Sequence, residues 1–277
     1  MAIINQVVSG GSAPETQFGV NLKGWCGDII TSGPQVGQLR TDQAVGTLNM
    51  AGVTQVGSLL EGKFDGSTGL VGAVNLSNLL STRTRGLKRT FAGTRITSLD
   101  LSSVNTVSEE GMQAVCEGVT TLTSVTLPSS GANGVVIFQR GLQRAFKNTA
   151  ITTFTCKIHS FGSGEVWDDA EHLQYAFDNC SSLRSLYFPS LSGASFSNIQ
   201  QMYEDMEGES LPMIDAIPVT MGNMVTNCSN VTIHLPQQLE QDLIDDGEDS
   251  EILAGQLADI FSNFTATSAG ITVVFDL

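Results

Sequence analysis

Residues Ala176 to Ser190 read AFDNCSSLRSLYFPS. Leu173, three residues before this stretch, and Phe177 within it stand four residues apart, a spacing that puts two apolar side chains on one face of a helix. Asn179 follows two residues later, and Asn, like Gly, tolerates the left-handed backbone with which helices stop. Leu186 and Phe188 then alternate with polar neighbours, the pattern of a strand with one buried face. Pro189 comes where a missing N–H does least harm to a ladder. The stretch therefore predicts a helix, a stop, a strand and a turn.

The same order recurs along the chain. Leu60, Phe64 and Gly66 carry the helix and stop, as do Leu87, Phe91 and Gly93; Met112, Cys116 and Gly118; Leu142, Phe146 and Asn148; Met202, Met206 and Gly208; and Met221, Val225 and Asn227. Strand-like segments follow at Ile96, Leu99 and Leu101; Leu122, Val125 and Leu127; Ile151, Phe154 and Cys156; and Ile233 and Leu235, with Pro128 and Pro236 placed as Pro189 is. Successive second anchors lie 27, 25, 30, 31, 29 and 19 residues apart. Such uneven intervals imply loops of different length on one side of a stack. One unit cannot bury its own anchors, so neighbouring units must bury each other's.

The stretches AFDNCSSLRSLYFPS (Ala176 to Ser190), TFAGTRITSLDLSS (Thr90 to Ser103) and GVTTLTSVTLPSS (Gly118 to Ser130) resemble the bacterial surface-antigen, or BspA-like, type of leucine-rich repeat. That type commonly reads AF-x-N-C-x-x-L-x-x-(V/I)-x-(I/L)-P. The resemblance covers about Gly57 to Pro236, and the intervals are longer and less regular than the family's usual period. It implies an α/β fold, a leucine-rich-repeat-like solenoid of about seven helix-stop-strand rungs with a parallel sheet. Such repeats occur in bacterial surface proteins and in virion proteins of tailed phages infecting gut bacteria.

Three regions are expected on this reading. Residues 1–56, rich in Gly, Val, Gln and Thr, predict a β-rich N-terminal arm or cap, and their opening MAIINQVVSGG resembles the beginnings of phage tail-type proteins. Residues 57–236 hold the repeats. Residues 237–277 predict a mixed α/β cap, helical over Gln237 to Asp246 and Glu251 to Phe264, with a last strand from Ile271 to Phe275. Polar or irregular caps hide the end units of repeat arrays.

Charge is strongly asymmetric. The 277 residues carry a net charge of −15, and no Lys or Arg follows Arg184. Arg83, Arg85, Lys88, Arg89 and Arg95 cluster towards the other end. They are either a solvated face or an assembly contact for the acidic patch of a neighbouring subunit, weakening as salt rises. Nucleic acid is repelled by most of such a surface. No window approaches the roughly 20 uninterrupted apolar residues of a membrane helix, and Met1 to Gly11 lack a secretory signal's basic and apolar regions. The five cysteines, Cys26, Cys116, Cys156, Cys180 and Cys228, are odd in number and lack close pairs, which predicts reduced, buried thiols.

Catalytic or metal chemistry finds little support. The run Asp245 to Glu251 lacks the spacing of a calcium loop. Asp168 or Asp169 is better read as a helix N-cap before Leu173 and Phe177. His159, His172 and His234 fall in different repeats, with no nucleophile motif beside them. Trp25-Cys26-Gly27 lacks the second cysteine of a redox pair, and Gly131 to Gly134 lacks the lysine and the strand-to-helix setting of a phosphate cradle. No cofactor, metal or catalytic residue is expected.

The expected function is that of a structural virion protein of a tailed bacteriophage, in a tail, baseplate, fibre or head-decoration position. It acts through protein–protein contacts with other virion proteins in a homo-oligomer or multi-copy assembly, with a host surface receptor as a further candidate partner, and neither nucleic acid nor membrane. The alternative is a bacterial cell-surface adhesin whose repeats bind host protein or glycan. A glycan hydrolase would need paired carboxylates about 5 to 10 Å apart on one exposed face, and no such pair can be placed.

Overall fold

Four-residue spacing of apolar side chains also suits a chain that turns every four residues, and that is what most of the repeats do. The computed structural model describes residues 48, 50, 53–128, 134–162, 171–209, 211–262 and 270–277. Between Arg83 and Thr94, Gly86, Lys88, Thr90, Ala92 and Thr94 each donate an amide to the carbonyl three residues back. The intervening Arg85, Leu87, Arg89, Phe91 and Gly93 donate instead to Glu109, Gly111, Gln113, Val115 and Glu117 of the next repeat, at 2.7–3.1 Å. Every fourth residue is left-handed: Arg85 (φ 59°), Arg89 (φ 53°) and Gly93 (φ 64°). The segment is a run of linked turns, half of whose amides bond to the neighbouring turns.

The pattern repeats in register. Met112, Ala114, Cys116 and Gly118 donate to Gly141, Gln143, Ala145 and Lys147; Leu142, Arg144, Phe146 and Asn148 donate to His172, Gln174, Ala176 and Asp178. The helices expected around Leu60–Phe64, Leu87–Phe91, Met112–Cys116, Leu142–Phe146 and Leu173–Phe177 are therefore not helices. The physical reason is non-local. An α-helix takes its amide acceptors from four residues back within one segment, whereas here a parallel neighbour offers carbonyls to alternate residues. The expected stop residues do adopt left-handed backbone, among them Gly66, Gly93, Gly118, Asn148, Asn179 and Asn227, as the last such position of each turn run.

The residue after four of the stops is also explained. Thr94 and Thr149 donate their hydroxyls to the carbonyls of Phe91 and Phe146, at 2.7 and 2.8 Å. Cys180 and Cys228 donate their thiols to the carbonyls of Phe146 and Phe177, both at 3.0 Å. These small donors pair carbonyls that face the interior, where an unpaired acceptor would be costly. Burial holds the Cys156 and Cys228 thiols up at about 12 and also raises Cys116 and Cys180, so all four are protonated at neutral pH. They are free and buried; Cys26 lies outside the described residues.

Strands emerge from the turns, and every pairing between them is parallel. One sheet holds β2 (Val71–Asn75), β4 (Arg95–Asp100) and β6 (Ser124–Thr126); a second holds β8 (Thr153–Thr155), β10 (Ser185–Tyr187), β11 (Thr232–Leu235) and β12 (Thr272–Phe275). Their inward residues are those expected, including Leu99, Val125, Phe154, Leu186 and Ile233. The sequence pattern does not announce the third sheet, ordered β1 (Gln55–Val56), β3 (Ser81–Thr82), β5 (Thr106–Val107), β7 (Val135–Ile137) and β9 (Ile158–Phe161). Segments this short offer one or two inward residues, too few for an alternation to stand out. The fold is thus α/β, with parallel sheets, few helices and open sheet edges.

A single apolar core runs from Leu48 to Val273 between turns and sheets. Aromatic rings bridge successive turn runs: Phe64 and Phe91 stack at 5.9 Å, Phe146 and Phe177 at 5.6 Å, and Phe154 meets Phe177 edge-on at 4.9 Å.

One of the seven anchor pairs does not belong to this ladder. Met202 and Met206 lie on a true helix, α1 (Ser197–Glu207), which ends at Gly208 in left-handed conformation (φ 75°). Met206 is 50% exposed. The helix-and-stop reading is thus locally right where the rung reading fails. After Phe177, whose amide donates to Met224, the next anchor is Val225, which donates to Phe261. The intervening 47 residues hold α1 and α2 (Met213–Met221). Near the C-terminus α3 (Gln237–Asp245), α4 (Leu253–Ser262) and β12 stand where helices and a strand are expected. The expected arm lies almost wholly outside the described residues, although Val53 and Val56 are core residues.

Candidate functional site

The left-handed positions of the turn runs point charged side chains outward, one above the next. Glu110 receives Arg85 at 2.6 Å and Lys88 at 2.8 Å. Arg89 bridges Asp65 at 2.9 Å and Glu117 at 3.6 Å, and Glu117 in turn receives Arg144 at 2.5 Å. Further along, Arg140 meets Glu171 at 3.0 Å and Lys147 meets Asp178 at 2.6 Å. Amide side chains join in: Gln113 donates to Gln143, Asn179 to Asn148, and Asn227 to Asp178.

The expected assembly residues are brought together here only in part. Arg85, Lys88 and Arg89 pair with carboxylates of adjacent turns, Arg83 donates to the Gln55 side chain at 3.3 Å, and Arg95 starts β4 on a different face. The charge of Arg85, Lys88 and Arg89 is therefore met within the chain. Burial alone would push the Glu110 carboxyl up, but hydrogen bonds from Lys88 and Arg85 and their positive charges outweigh it and hold the group below its ordinary value. A lowered folded-state value stabilises above the ordinary carboxylate range and is lost as pH falls through the folded value. Glu110→Gln is expected to cost on the order of 1 kcal/mol at neutral pH after solvent screening. Urea midpoints at pH 7 and pH 3 check this: the gap to the wild type should close in acid.

A second surface is the outer side of the sheets that hold β2, β4, β6, β8, β10, β11 and β12. Strand alternation that sends Leu99, Val125, Phe154, Leu186 and Ile233 inward sends their neighbours out. One outward row pairs Ala73 with Ser98 and Ser98 with Ser124, and, on the second sheet, Thr153, Ser185, Thr232 and Thr272. The other pairs Asn75, Asp100 and Thr126, then Thr155, Tyr187, His234 and Val274. The sheets meet where β6 and β8 lie side by side, the Ala150 amide donating to the Leu122 carbonyl at 3.1 Å.

Tyr187 and His234 stack on this face, centroids 4.2 Å apart and planes 10° from parallel. His234 Nδ1 lies 2.9 and 3.0 Å from the two Asp276 oxygens, which fixes the ring's orientation and turns Nε2 away from the carboxylate. Sequence reasoning missed this trio because Asp276 lies 42 residues from His234. A signal was present: Tyr187 follows Leu186 and His234 follows Ile233, so aligning strands on their inward residues stacks the two rings.

The remaining candidates hold other places. His159 is exposed on β9, and His172 is buried against Phe161, rings 5.1 Å apart. In the acidic run, Asp246 accepts the Met213 amide at 2.6 Å and Asp249 accepts the Glu251 amide at 2.9 Å, so both carboxylates serve local backbone. Asp168, Asp169, Trp25, Cys26, Gly27 and Gly131 lie outside the described residues. Among the described residues no group of three or more His, Cys, Asp or Glu side chains could hold a metal ion, and no helix is long and apolar enough to cross a membrane.

No protein-family model, curated protein or solved structure matches this chain.

Proposed function

We propose that the turns and parallel strands form a leucine-rich-repeat-like solenoid of the bacterial surface-antigen type, and that the chain is a non-catalytic structural virion protein of a tailed bacteriophage. It works in a tail, baseplate, fibre or head-decoration position, through contacts with other virion proteins. The observation that carries the reading is the motif of Ala176 to Pro189, each of whose marked residues has a physical task that recurs in neighbouring repeats. Phe177 stacks on Phe146, Asn179 takes left-handed backbone, and Cys180 donates to a core carbonyl as Thr94 and Thr149 do. A ladder of this kind gives rigid, extended faces for subunit contacts. The internal pairing of Arg85, Lys88 and Arg89 moves the expected contact away from those side chains and towards uncommitted faces.

Mass spectrometry of gradient-purified particles tests the reading. The chain is expected at a fixed stoichiometry relative to the major capsid protein after repeated purification. Absence from particles, with recovery on the surface of intact bacterial cells, would replace this role with that of an adhesin.

A further inference from the structure

We propose that the outer sheet face beside Tyr187 is a binding site for a neutral saccharide. The face changes character along its length. Across β6 and β8 it presents Ser124, Thr126, Thr153 and Thr155 and no charged side chain, in a chain of net charge −15. These four hydroxyls and the Tyr187 phenol make no hydrogen bond to protein among the described residues, unlike Thr90, Thr94 and Thr149, which donate to core carbonyls. Alternate residues on one strand lie about 7 Å apart, and β6 and β8, the facing edges of the two sheets, lie side by side. The hydroxyls therefore form a two-dimensional mesh on the scale of one sugar ring.

Tyr187 closes this floor with a wall. One face of its ring is covered by His234. Thr155 is its partner on the opposite side, and a threonine is too short to cover an aromatic ring. The face of Tyr187 away from His234 thus looks across Thr155 over the hydroxyl floor. Aromatic faces carry partial negative charge, which suits the C–H bonds of a pyranose. Its hydroxyls can meanwhile both donate to and accept from Ser and Thr. The Asp276–His234 contact holds the backing ring in place. Charge argues the choice of ligand: β6, β8 and Tyr187 themselves offer no cation to a phosphate or sulfate polymer, which the acidic chain also repels, whereas a neutral polyhydroxyl ligand meets hydroxyls and a ring there.

The site does not rest on the virion reading, since the purified chain should bind away from any particle. The test is the fluorescently labelled full chain on a printed array of neutral plant, fungal and bacterial oligosaccharides, with heparin and other anionic glycans as comparators. At least one neutral structure is expected to retain it. Tyr187→Ala should lower that signal at least tenfold, and Tyr187→Phe, which keeps the ring face, should hold it within threefold. Thr153→Arg, an exposed change that leaves the core untouched, should also abolish retention, with thermal melting unchanged. Retention by no neutral glycan, retention by anionic glycans alone, or equal signals for the wild type, Tyr187→Ala and Thr153→Arg would each overturn the site.

Discussion

Phe177→Ala is expected to cost about 3 to 5 kcal/mol, the usual loss for truncating a fully buried phenylalanine, whereas Met206→Ala should cost less than about 0.5 kcal/mol. The two residues share one sequence signature, an apolar side chain four after another and two before Gly or Asn. They differ in what surrounds them. Phe177 has no solvent exposure, and its ring lies 5.6 Å from Phe146 and 4.9 Å from Phe154. Its backbone is also tied to the next turn run, since its amide donates to Met224 and its carbonyl accepts the Cys228 thiol. A cavity here removes contacts from two repeats at once, and the linked turns on either side limit collapse into it. Met206 stands half in water at the end of α1. Melting followed by circular dichroism checks the pair. The Phe177 variant should lose roughly 10 °C, and equal losses for both would show that the ladder does not run through Phe177.

This contrast marks what the sequence could and could not convey. The apolar anchors were legible because burial is demanded of the side chain itself: Leu87, Phe91, Leu142, Phe146 and Phe177 are all within 1% of complete burial. The conformation joining them was not, because a 3.6-residue helix and a four-residue turn both put i and i+4 on one side. The choice between them lies with carbonyls some 24 to 30 residues away, such as Val115 for Phe91 and Ala176 for Phe146. A clue lay in the stop residues. Gly or Asn was expected once per repeat, but left-handed backbone also falls on Arg85, Arg89, Glu110, Ala114, Arg140, Arg144 and Tyr175. Such residues adopt positive φ only at a cost, and here the hydrogen bonds to adjacent turns over-determine it. The basic cluster was visible, whereas its carboxylate partners could not be assigned until the turns were in register. On the sheet face, Tyr187 and His234 were plain as residues, and their stacking needed the strand alignment.

Acid should weaken the fold through His172 as well as through Glu110. The His172 ring is wholly buried; its Nε2 donates to the Gly162 carbonyl at 2.9 Å, and its Nδ1 has no partner among the described residues. Burial penalises the charged ring and pulls its pKa down from 6.5 to about 4, while the Gly162 carbonyl opposes that shift more weakly. The unfolded chain therefore takes up a proton near pH 6.5 that the folded chain refuses until about pH 4. The stability this neutral ring confers is complete above 6.5 and is lost as pH falls through that window. The loss amounts to about 3 kcal/mol by the time the folded form also titrates. His172→Phe removes the titration while keeping a flat ring beside Phe161, at the expense of the Gly162 hydrogen bond. Its stability at pH 7 is expected to be about 1 kcal/mol lower for that lost bond. Between pH 6.5 and 4, however, it should decline less steeply than the wild type, because both chains share every carboxylate and differ in this one proton. Urea midpoints taken at half-unit intervals across the window would separate the two slopes, and parallel profiles would mean that the folded ring charges as readily as the unfolded one.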